Sequence, residues 1–105
     1  MGQYPVYPAE LMKYNISLTR KRGTLEIPIM STDQKQVVLR LFQDGHARIL
    51  LSEGMGRSTR EITSFDGKTG HYAFDVDTDG LQAGMYYLYL VVDDQVVHLQ
   101  ELAID

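Results

Sequence analysis

From Tyr14 onward, apolar residues fall in short runs of β-branched, aromatic and aliphatic side chains, many alternating with polar ones and broken by Gly and Asp. A period of two with turn residues every few positions predicts strands. The runs lie at 14–20, 24–30, 36–43, 46–52, 71–76, 85–92 and 95–104, and 59–65 supplies a further edge strand. No helix longer than a turn is expected. Strands this close together, without helix-length connections, predict antiparallel pairing and a sandwich.

Turn chemistry refines the picture. Asp44-Gly45 separates two strand runs by two residues, which predicts a type I′ hairpin, because Asp and Gly best tolerate positive φ at both central positions. The stretches 54–59 and 66–70 read as loops. Pro5 and Pro8 make 4–8 extended, since proline fixes φ and restricts its predecessor. Leu81-Gln82-Ala83-Gly84-Met85-Tyr86 places a tyrosine two residues after a turn glycine at the start of a strand. That is the pattern of a tyrosine corner, whose hydroxyl bonds back to upstream backbone; Leu81, Gly84 and Tyr86 are its structural residues. Alternation then sends Tyr86, Leu88, Leu90 and Val92 to the core and Tyr87, Tyr89 and Val91 to the other face. Val37, Leu39 and Leu41, then Tyr72, Phe74 and Val76, are further core candidates. The predicted architecture is an all-β, immunoglobulin-like antiparallel β-sandwich of about seven strands with Greek-key connections. It occupies 14–105, behind an extended segment at 1–13.

Composition narrows function. A chain of 105 residues, 44% hydrophobic and 23% charged, suits one globular core. No apolar run approaches the roughly 20 residues of a membrane-spanning helix, so membrane insertion is not expected. The net charge of −4 opposes nucleic-acid binding, and the one basic cluster, Arg20-Lys21-Arg22 before Gly23, reads as a solvated hairpin turn. Without cysteine there is no disulfide, thiolate zinc site or cysteine nucleophile. Met1-Gly2 opens on no charged-then-apolar leader, so an excised or recombinant beginning and a longer parent are expected.

Four features are candidates for chemistry. Asp75-Val76-Asp77-Thr78-Asp79-Gly80 spells the opening of an EF-hand loop, but its twelfth position is Tyr86 rather than a bidentate Glu. Asp75, Asp77 and Asp79 are therefore a weak calcium candidate beside the plainer reading of an acidic turn. Gly54-Met55-Gly56 with Arg57, Ser58 and Thr59 lacks the strand-loop-helix context of an anion cradle and reads as a loop. His46, His71 and His98 sit on different strands without metal-ligand spacing. No nucleophile elbow or spaced acid pair stands out, so neither an enzyme nor a cofactor is expected. The outer face is the remaining feature. Tyr87 and Tyr89, with Phe42 if Leu39 and Leu41 point inward, predict an exposed aromatic stripe. At about 150–250 Å² per aromatic ring, such a stripe exceeds what a monomer leaves bare. It predicts docking to a neighbouring domain or protein partner and permits weak self-association. The alternatives are carbohydrate binding through those tyrosines, cover by the segment 4–8, and membership of the core under a shifted register.

Gly45, Phe74-Asp75-Val76, then Leu81, Gly84, Tyr86, Leu88 and Leu90, spread over the C-terminal two thirds, resemble the C-terminal sorting domains of the bacterial type IX secretion system, or related Ig-like modules of secreted Bacteroidetes proteins. The resemblance implies a non-catalytic Ig-like module of a larger exported protein, located in the periplasm, on the outer surface or outside the cell. Its role would be secretion, attachment or protein interaction. The tight Asp44-Gly45 turn and an end at 99–105 without lysine depart from the family pattern.

Overall fold

The computed structural model describes residues 11, 13–18, 21–28, 35–53 and 59–104. Eight strands lie among them: β1 (Asn15–Ile16), β2 (Gly23–Glu26), β3 (Lys35–Leu41), β4 (Gly45–Glu53), β5 (Thr59–Gly67), β6 (Gly70–Val76), β7 (Gly84–Val92) and β8 (Gln95–Ile104). They form two sheets, ordered β1-β8-β7-β4-β5 and β2-β3-β6. All pairings are antiparallel except the two-residue β1 against β8.

Alternation along the strands makes the core. Leu25, Val37, Leu39, Leu41 and Val76 from the smaller sheet meet Ala47, Ile49, Leu51, Tyr86, Leu88, Leu90 and Val92 from the larger, all buried in one cluster. Two bulges adjust this packing. Between Leu90 and Val91 the register against β8 slips by one residue, so adjacent Val96 and Val97 are both buried, in different clusters. A second slip, between Ile49 and Leu50, inserts Ile62 against the core. Each bulge opposes two residues to one and re-aims the strand beyond it. On the β2 side the sheets are tied directly, where the Leu25 N–H donates to Nδ1 of buried His98 at 2.6 Å.

Two turn expectations are corrected. Asp44-Gly45 is no hairpin, because β3 pairs with β2 and β6 while β4 pairs with β5 and β7. The link is a corner between sheets. Both flanking strands carry apolar inner faces, and the chain buries them against each other across the sandwich instead of side by side in one sheet. Asp44 accepts from the Thr69 N–H at 2.7 Å and from its hydroxyl at 3.0 Å, tying this corner to the β5–β6 turn. A Cβ at position 45 would lie 2.8 Å from Oδ2 of Asp93, the end of an exposed side chain that would have to move aside. Positive φ at two successive residues occurs instead at Asp93 (49°) and Asp94 (64°), which make the two-residue turn of the β7–β8 hairpin. The link from β1 to β2 also changes sheets. Lys21 and Arg22 therefore do not sit on a hairpin turn, and Arg22 pairs with Asp93 at 3.6 Å; Arg20 lies outside the described residues.

Candidate interaction face

The outer face of the five-stranded sheet follows from register. With Ala47, Ile49 and Leu51 turned inward, β4 presents His46, Arg48, Leu50 and Ser52 outward. Directly opposite on β7 stand Val91, Tyr89 and Tyr87, across from Arg48, Leu50 and Ser52. Leu99 and Glu101 of β8 lie beyond Tyr89 and Tyr87, and Ala103 lies beyond Met85. The predicted sense of Tyr87, Tyr89 and Val91 is therefore the observed one.

The exposure expected of the stripe differs. Tyr89 is 0% exposed, because Leu11 and Tyr14 fold over it and complete a second apolar cluster with Leu50, Val91 and Val96. Tyr87 and Leu99 pack at the margin of this plug and stay half-buried. The covering residues come from just after the segment 4–8, which lies outside the described residues. A short helical turn, in which the Tyr14 N–H bonds the Leu11 carbonyl at 3.0 Å, brings the two side chains onto the sheet. Leu11, placed by the sequence in the extended segment, thus packs as part of the domain. Phe42 is 47% exposed but follows β3, in the other sheet. "Outward" on β3 and on β7 means opposite sides of the sandwich, so Phe42 cannot join Tyr87 and Tyr89.

A polar network borders the plug on its β5 side. Arg48 donates through Nε to Glu61 at 2.9 Å and through Nη1 to the Tyr14 hydroxyl, with its guanidinium 5.7 Å from the Tyr14 ring centre. The bond to Glu61 is the main reason the Arg48 pKa is raised, against the opposing effect of burial. Arg48 therefore stays a cation and holds Tyr14 down by its polar end. Next to it, His46 stands directly across from Asp66, and Ser64 across from Arg48. His46 Nδ1 lies 2.7 Å from Asp66 Oδ1, and Nε2 lies 2.9 Å from Ser64 Oγ. This grouping was missed in the sequence because it depends on β4–β5 register. The available signal was the polar alternation of Ser64 and Asp66 about Phe65 in the predicted edge strand.

The remaining candidates separate. Asp75 lies on β6, where Gln36 donates to it at 3.4 Å, while Asp77 accepts from the Asp79 N–H at 3.0 Å within a turn closed by the Leu81 N–H on Thr78 O. Asp75 thus sits on a strand and Asp77 and Asp79 in a self-bonded turn, and among the described residues no three acidic, histidine or cysteine side chains form a metal-holding group. Gly54, Met55, Gly56, Arg57 and Ser58 lie outside the described residues. The buried Tyr86 donates its hydroxyl to the Gln82 carbonyl at 2.8 Å, Leu81 packs against the core, and Gly84 has φ +152°. No protein-family model matches this sequence, and no curated protein matches it.

Proposed function

We propose that this chain is a non-catalytic, immunoglobulin-like module of a larger exported bacterial protein that works by packing against a neighbouring domain or protein partner. The fold reading is supported by strand order. Without the two-residue β1, seven strands remain, and β7 returns through the other sheet to lie beside β4, as in a Greek key. The bond from the Tyr86 hydroxyl to Gln82, at the entry to β7, is of tyrosine-corner type.

The observation that carries the interaction reading is the apolar strip left open beside the plug. Met85 is 47% exposed and points to the same side as half-buried Tyr87; Ala103 adjoins Met85 on β8, and exposed Glu101 stands across from Tyr87, between Ala103 and Leu99, as the polar edge of the strip. The centre of the proposed contact therefore moves from Tyr87 and Tyr89 to Met85 and Tyr87. Burial of Tyr89 leaves the carbohydrate alternative with one half-buried ring in place of a stacking platform.

Oxidative footprinting tests the contact. Sulfoxide formation at Met85 and hydroxylation of Tyr87 are compared between the isolated domain and the intact parent protein. Several-fold protection in the parent is expected; equal modification overturns the contact. A sorting role is the more specific form of the proposal. It predicts that peptides from 71–105 are missing from the mature exported parent while upstream peptides survive, whereas their presence identifies a retained module.

A further inference from the structure

Ser64, His46 and Asp66 are arranged as a hydroxyl, a base and an orienting carboxylate. Ser64 Oγ is 2.9 Å from His46 Nε2, and Asp66 Oδ1 is 2.7 Å from Nδ1. With Asp66 ionised, Nδ1 carries the ring proton and donates it to the carboxylate, which leaves Nε2 free to accept from the Ser64 hydroxyl. Nucleophilic activation of a serine requires this tautomer. Surrounding contacts hold the group in place. The His46 backbone N–H is held by Asp93 Oδ1 at 2.9 Å. Neighbouring cations have carboxylates of their own, Arg48 with Glu61 at 2.9 Å and Lys68 with Asp44 at 3.6 Å, so Asp66 is left to His46.

We propose that Ser64 is a nucleophilic modification site, acylated once by activated acyl donors such as aryl esters or thioesters, with His46 as general base and Asp66 as positioning residue. Ser64 Oγ forms a bond to the acyl carbon while its proton passes to His46 Nε2. The tetrahedral adduct then expels the aryloxide or thiolate, which takes up that proton, and His46 returns to its neutral form. The product is an ester on Ser64. The group lies on an open sheet face, with the Asp66 side chain 94% exposed, so the activation is that of a solvated base. This inference is independent of the packing strip around Met85 and does not make the module an enzyme.

The test treats the full chain with p-nitrophenyl acetate in mildly alkaline buffer and measures acetylation of Ser64 against time by peptide mass mapping. A general base contributes about 10²-fold at the low end of its usual range. Native protein should therefore acetylate Ser64 about that much faster than the same chain unfolded in urea. His46→Gln should abolish the difference. Asp66→Asn should lower the rate and Asp66→Glu partly restore it. Equal rates in native and unfolded chains, or a rate untouched by His46→Gln in a variant with native circular dichroism, overturns the proposal.

Discussion

Leu11→Ala measures whether the plug over Tyr89 belongs to the cooperative fold. Leu11 is 0% exposed and packs with Tyr14, Leu50, Tyr89, Val91 and Val96. The substitution removes three carbons, worth about 0.8 kcal/mol each in transfer, and leaves a cavity; measured Leu→Ala costs in cores run from roughly 2 to 5 kcal/mol. The plug lies on an outer face near the start of the described chain and can relax into the gap, so the expected loss is near the bottom of that range, about 2.5 kcal/mol. For a domain of this size that lowers the melting temperature by about 10 °C. Urea unfolding followed by far-ultraviolet circular dichroism gives the free energy, and Ile16→Ala, at a residue 39% exposed, is the control. A loss under about 0.5 kcal/mol, the scale of surface substitutions, would refute the reasoning, because the plug would then detach without cost to the sandwich.

Three further outcomes follow from the same structure. His98→Phe leaves the Leu25 N–H without its acceptor between the sheets, so urea unfolding should show a loss of about 1–3 kcal/mol, largely recovered in a variant that restores an acceptor, such as His98→Gln. The Asp44 carboxyl is held below the usual carboxylate range, chiefly by the Thr69 backbone N–H and then by the Thr69 hydroxyl. A lowered folded-state pKa means its contribution is present above the unfolded value and lost as pH falls through the folded one, so Asp44→Asn should flatten the loss of stability below about pH 4, read by acid titration of the dichroism signal. Asp94 holds φ 64° in the β7–β8 turn, a region that aspartate tolerates and a β-branched residue does not, so Asp94→Val should lower stability by about 1–2 kcal/mol in urea unfolding, and an unchanged variant would count against the turn assignment.

Periodicity carried much of the fold in the sequence. The faces of β7 were legible because the tyrosine corner fixes Tyr86 inward and period two then puts Leu88, Leu90 and Val92 on the same side, although both faces of this strand are apolar. Most strand positions were legible for the same reason, since alternation reports which side of a strand avoids water and needs no knowledge of neighbours. Pairing was not legible. Asp44-Gly45 has the local chemistry of a hairpin, yet β3 and β4 lie in different sheets, because burying two apolar faces against each other outweighs a turn preference of about a kcal/mol. The type I′ turn formed at Asp93-Asp94, where adjacent strands of one sheet needed it, although neither residue is glycine.

The candidate site divides along the same line. The sequence by itself determined that Tyr87, Tyr89 and Val91 leave the main core together, because that is a property of one strand. Only the tertiary structure decided that Leu11 and Tyr14 cover Tyr89, that Phe42 stands on the opposite side of the sandwich, and that Ser64 and Asp66 meet His46. These are contacts between elements far apart along the chain or dependent on one residue of register. A period-two pattern specifies the face a side chain takes and leaves open which neighbour it meets there.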